Sequence, residues 1–199
     1  MIHSTAFVGD DAVMGDGAEV GAFCLVGVDG DGGPVQLGER SVIRSHSVIY
    51  RDVRAGDRFQ TGHSVLVRSK TTIGDQVSIG SHTVVEHSVH LGDGVRLHSR
   101  CFVPEHSVIE AGAWLGPGVI VTNARYPNRP ETKSQLEPVR VGERAVIGAG
   151  AVLLPGVTVG PDALVGAGAV VVGDVAAGGR VVGNPAHAID ARRGDQGHG

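Results

Sequence analysis

Aromatic residues are scarce: four Phe, two Tyr and a single Trp in 199 positions. A core of large interlocking rings is thereby excluded, and any core must rest on small aliphatics. Cysteine is nearly absent as well. Cys24 and Cys101 are too few for a disulfide framework and suit a reducing, cytoplasmic setting. No apolar run approaches the ~18 residues that cross a bilayer, so no membrane span is expected. The opening MIHSTAFVGDD lacks the basic and apolar regions of a secretory signal. Basic clusters are missing and the net charge is −4, which argues against a nucleic-acid partner. Glycine is in excess, at 32 residues, and 41% of the chain is hydrophobic, so the composition is not that of a disordered chain. The length suits one domain.

A six-residue period organises that composition. Stepping by six from Leu37 meets Ile43, Ile49, Ala55, Thr61, Val67, Ile73, Ile79 and Val85, then Leu91, Leu97, Val103, Ile109, Leu115 and Val121. Shorter runs link Ile2 to Val26 and Val141 to Val171. Four residues after nearly every one of these stands a small or β-branched residue, as at Val53, Val65, Thr71, Val77, Thr83, Val89 and Val95, with Phe59 a bulky exception. The period is neither helical nor simply alternating. It describes short strands with two inward positions and a turn, three of which close a triangular coil of eighteen residues. Stacked coils lie ~4.8 Å apart, as parallel strands do. The expected fold is all-β, a parallel β-helix of about nine coils over residues 1–182. Residues 183–199 are read as a closing segment and polar tail.

The period breaks twice. Residues 28–36, VDGDGGPVQ, read as an ejected, solvated turn. Residues 122–138, TNARYPNRPETKSQLEP, form a longer loop with a cationic surplus and Tyr126, and are read as functional.

Because the coil repeats every eighteen residues, vertical neighbours follow from numbering. His87, Glu105 and Asn123 share one column at one corner, where the long loop begins. An imidazole beside a carboxylate is the arrangement that orients a general base and holds its protonated form; the bland alternative is a histidine on a solvated corner. His106 borders this column as a second candidate base, and Asn123, Tyr126, His82, His98 and His106 are read as acceptor contacts. Gly148-Ala149 and Gly166-Ala167 also lie eighteen apart and stack into a nearly side-chainless strip whose backbone can bond a thin amide chain. A bulky residue at Gly166 is expected to block that strip before it disturbs folding.

IGDQVSIGSHTV, IGAGAVLLPGVTVGPDALVGAGAVVV and the closing VVGNPAHAI resemble the hexapeptide-repeat acyltransferases, over residues 2–190. The resemblance implies a left-handed coil, against the usual right-handed crossover. It also implies a homotrimer with active sites at the subunit clefts, and a long loop that reaches a neighbour's site. The activity implied is transfer of an acetyl group from acetyl-CoA to an amine or hydroxyl of a small acceptor. Gly148, Ala149, Gly166, Ala167 and Asn184 would hold the cosubstrate, with Arg180 a partner for its phosphate on charge alone. The stretch Val85-Glu86-His87-Ser88-Val89-His90-Leu91-Gly92 is similar to the segment carrying the catalytic histidine of UDP-sugar acyltransferases. Glu86 departs from it, since a small residue usually stands there. TNARYP and the long loop most resemble N-acetyltransferases of nucleotide-linked amino sugars, some of which use no protein base.

Two other classes share such folds: γ-carbonic-anhydrase-like metalloenzymes and non-catalytic binding modules. The metal reading fails in register, because Ser81, Glu86 and Leu66 stand where the three histidine ligands should be. No metal is expected.

Overall fold

The computed structural model describes residues 1–189. It is a parallel β-solenoid of about ten turns with three sheets and no α-helix among the described residues. Face one runs from Glu19–Val20 to Arg180–Val182, face two from Phe7–Val8 to Val170–Val171, and face three from Val13–Met14 to Thr158–Val159. Most strands are two residues long. The second residue of each points inward, and Ile43, Ile49, Ile79, Leu91, Leu97, Ile109, Leu115, Ile147 and Leu153 are essentially inaccessible. Each such side chain contributes ~1.5–3 kcal/mol by leaving water. Phe59 is fully buried at the position where the other coils carry small residues. Several hydroxyls in the core donate to backbone carbonyls: Thr71 Oγ1 to Glu86 O at 3.0 Å and Thr83 Oγ1 to His98 O at 2.9 Å.

Register explains the interruptions. Phe7 pairs with Leu25, one eighteen-residue step away, whereas Val13 pairs with Gln36 and Val108 with Arg140. The first loop therefore adds five residues and the second fourteen, without breaking any sheet. A third irregularity was not visible as a break in the repeat. Leu164 pairs with Arg180 and Val159 bridges Val175, two residues short of the usual step. The bridge from Ile2 to Val20 extends face one at the other end. The antiparallel strand His187–Ala188 closes face one.

The sheets meet at three edges. The first edge, between faces one and two, carries Gly62, Gly80, His98, Gly116, Gly148 and Gly166. The second, between faces two and three, carries Arg51, Ser69, His87, Glu105 and Asn123. Both inserted loops leave the solenoid at the second edge.

Candidate functional site

On the second edge His87 and Glu105 stand one turn apart, with Nε2 of the imidazole 3.7 Å from Glu105 Oε2. Nδ1 lies 3.2 Å from the Ser88 hydroxyl. The two ring nitrogens therefore face different partners, the carboxylate on one side and a hydroxyl on the other. The His106 ring meets His87 edge-on at 5.4 Å between centroids. Below, Glu86 is tied to Arg68 at 2.6 Å, so the acid that departs from the family pattern is neutralised by its neighbour one turn down.

The long loop is anchored immediately above. Asn123 is buried; its Nδ2 donates to Glu105 O at 3.1 Å, and its own carbonyl accepts from Glu137 N at 2.7 Å. Its side chain thus braces the loop root against the Glu105 turn. Arg125 binds Glu137 through two bonds of 2.9 Å, which close the loop's base and hold the Glu137 carboxyl below the usual carboxylate range. Tyr126 is exposed, with the Arg129 guanidinium stacked 4.0 Å over its ring.

The shorter loop is exposed from Asp29 to Gly32, as expected of a solvated turn, and also folds back onto the same edge. Val28 O accepts from Arg51 N at 3.1 Å and Gly33 O from Asp52 N at 2.8 Å. Together with Tyr50, Arg68, Ser69, Lys70 and His87 it encloses a cleft of about 250 Å³ directly under the imidazole. None of these companions of His87 was singled out from the sequence as a site residue. Extending the His87 column downward by eighteen residues reaches Ser69 and Arg51, and that numbering was the available signal.

The remaining predicted residues lie on another edge. His82 and His98 are on the first edge, His98 resting edge-on against Trp114 at 4.7 Å. Desolvation, then the charge of Arg96, lowers the His98 pKa and favours its neutral form. Above His98 the first edge loses its side chains. Gly116, Gly148 and Gly166 stack, as do Gly118, Gly150 and Gly168, all three with φ near +70°. Only the methyl groups of Ala149 and Ala167 and the ring of Pro117 interrupt the strip, and all three are exposed. Arg180 starts the last parallel strand of face one, beside Leu164, and Asn184 sits in the exposed turn that follows.

The glycines in this strip have a structural duty that limits what they can report. A Cβ on Gly148 would collide with the backbone nitrogen of Ala167, and one on Gly166 would come within 2.7 Å of Val182 Cγ1. A bulky residue at Gly166 therefore disturbs the coil above it, contrary to the sequence expectation. Ala167 is the position where bulk can be added from outside.

Both thiols are free and buried. Burial pushes Cys101 up to about 11 and raises Cys24 as well. Among the described residues no three His, Cys, Asp or Glu side chains converge as metal ligands.

Residues 70–105 and 138–173 match the family model described as bacterial transferase hexapeptide (six repeats). UDP-3-O-acylglucosamine N-acyltransferase of Psychrobacter cryohalolentis is 47% identical over 47 residues, 24% of this chain and 12% of that protein. Nodulation protein L of Rhizobium meliloti is 54% identical over 72 residues, 34% of this chain and 39% of that protein. Both alignments thus span well under half of the relatives' own lengths. The crystal structure of Francisella novicida UDP-N-acetylglucosamine acyltransferase superposes with a TM-score of 0.65 at 19% identity, over 94% of this chain and 68% of that one. At that identity the superposition speaks for the fold.

Proposed function

We propose, from a chain that belongs to the hexapeptide-repeat transferase family, that this protein moves an acetyl group from acetyl-CoA to the amine of a small sugar-linked acceptor. A nucleotide-linked amino sugar is the acceptor class, and the working assembly is a homotrimer. The observation that carries this reading is the pairing of His87 with Glu105 on one edge and a side-chainless strip on another.

Chemistry assigns the parts. The acceptor amine attacks the thioester carbonyl, a C–N bond forms and the C–S bond breaks. His87 takes the amine proton and passes it to the departing sulfur, so the thiol leaves neutral. Glu105 holds the imidazolium while it carries that proton; the well-placed base, His87, is itself worth ~10²–10⁴-fold. If Glu105 accepts the Nε2–H, Nδ1 keeps the lone pair and the Ser88 hydroxyl must turn aside or relay the proton. The strip offers backbone groups to the pantetheine arm, with Arg180 and Asn184 near its upper end.

Position explains why one chain is insufficient. The two edges are separated by face two, roughly 15–20 Å of extended chain. In height, Gly116 at the strip's lower end lies one turn above Glu105, while His98 shares the Glu105 turn. Parallel prisms about a threefold axis would present equal heights to one another. His98 of one copy would then face Glu105 of the next, with the lower end of the strip one turn above Glu105 and two above His87.

Thiol release from acetyl-CoA, followed across nucleotide-linked amino sugars and their hydroxyl counterparts, tests the reading. Turnover with at least one amine acceptor is expected, and CoA alone should raise the melting temperature. No thiol release with any acceptor, joined to an unchanged melting temperature, would favour a non-catalytic binding module.

A further inference from the structure

Two glycines seat the shorter loop on the second edge. The Ser69 hydroxyl is the one buried side-chain polar atom among the described residues that lacks a hydrogen-bond partner. Gly30 covers it: a Cβ there would overlap Ser69 Oγ, and Gly30 lies in the left-handed region at φ 78°. Gly32, at φ 127°, packs as closely on Asp52, where a Cβ would come within 2.7 Å of the Asp52 Cβ. Both seats therefore require glycine. The closed position keeps a hydroxyl out of water with its bond unmet, a standing cost that lifting Gly30 would remove.

Little else holds this segment down. Among the described residues no backbone hydrogen bond reaches Gly30, Asp31 or Gly32. At one end Arg51 N donates to Val28 O at 3.1 Å, and the Arg51 side chain is tied to Asp11 by two bonds of 2.6 and 3.1 Å, so that end is firm. At the other end a single bond, from Asp52 N to Gly33 O at 2.8 Å, acts as a latch before the chain returns to the core at Val35. The tip, Gly30 and Asp31, lines the cleft below His87 together with Tyr50 and Lys70.

We propose that residues 29–33 are a latched lid on that cleft. Closed, Gly30 covers Ser69; open, the bond from Asp52 N to Gly33 O is broken, water reaches the Ser69 hydroxyl and the cleft below His87 widens. The motion belongs to the fold and needs no ligand. Only its use, as the acceptor's way in, rests on the acyl-transfer reading.

Hydrogen–deuterium exchange of the full chain, free of coenzyme A and acceptor, tests the motion. Asp52, Lys70 and Ser88 occupy the same corner of successive turns, and their amides donate to Gly33 O, Asp52 O and Ser69 O at 2.8, 3.0 and 3.0 Å. Only the first acceptor belongs to the loop. The Asp52 amide should exchange about tenfold or more faster than those of Lys70, Ser88 and its neighbour Arg51. Ser69→Ala should slow Asp52 about fivefold or more, because the closed seat no longer strands a hydroxyl, and leave Lys70 and Ser88 within about twofold. Gly30→Ala should speed Asp52 about tenfold, since its methyl meets Ser69 Oγ, and adding Ser69→Gly should remove most of that gain. Asp52 exchange within about twofold of Lys70, or no response to Ser69→Ala, would overturn the lid. A Gly30→Cys/Ser69→Cys pair tests the use: the two Cβ positions are 3.3 Å apart, near disulfide spacing, and both native thiols are buried. Consumption of acetyl-CoA with nucleotide-linked amino sugars should be about tenfold or more slower with the pair oxidised than reduced. Equal rates would remove the lid's role at the site and leave acyl transfer standing. A wild-type chain that consumes no acetyl-CoA would remove the acyl-transfer reading, and the exchange result alone would then decide the lid.

Discussion

His87→Ala is expected to lower kcat by ~10²–10⁴-fold while leaving CoA binding intact. The imidazole is half-buried, 3.7 Å from the Glu105 carboxylate, and is placed to accept a proton without contacting the strip. Glu105→Gln should cost less, since the amide keeps the shape and loses only the charge that favours the imidazolium. The acid limb of the pH–rate profile should flatten in His87→Ala, because that limb reports the base losing its proton. His90→Ala is the control: His90 is exposed on face three, bonded to Thr72 at 2.9 Å, away from the cleft. A His87→Ala enzyme within threefold of wild type from pH 6 to 9 would remove the general-base role and leave a site that works by positioning alone.

Ala167→Trp should raise the acetyl-CoA KM by about tenfold or more with little change in melting temperature. The methyl of Ala167 is exposed on the strip, so an indole there occupies the surface that the pantetheine arm would need. Gly148→Ala should behave in the opposite way. Its added Cβ meets the backbone of the next coil, an overpacking cost of about 1–3 kcal/mol that appears as a fall in melting temperature. Wild-type KM in a folded Ala167→Trp protein would place the cosubstrate elsewhere.

The fold was legible because its core is one-dimensional. A single period of six sets strand, turn and inward position, and an eighteen-residue step sets the neighbours, so Ser78 opposite Arg96 or Leu66 opposite Val84 needs no further information. The same step brought His87 to Glu105. It failed where chain leaves the repeat. The 28–36 loop folds back through Gly33 onto Asp52, one turn higher, and through Gly30 onto Ser69, two turns higher, and no periodicity announces those contacts. The two-residue shortening before Val175 was hidden by a run of Val, Ala and Gly in which several registers look alike. The same numbering divides the predicted site residues between two edges, since His98 falls seven positions before Glu105 in the same turn. His98, Gly148 and Ala167 stand apart from His87 within one chain because face two lies between them.

That division supplies the most direct test. His87→Ala chains and Ala167→Trp chains, assayed at acetyl-CoA well below the wild-type KM, where each alone has about a tenth of wild-type activity or less, can be unfolded, mixed in equal amounts and refolded together. If each site takes its base from one copy and its strip from the next, one pairing in four is intact, and about a quarter of wild-type activity per chain should return. Activity that stays at the sum of the two separate variants, in assemblies shown to contain both chains, would contradict a site shared between copies.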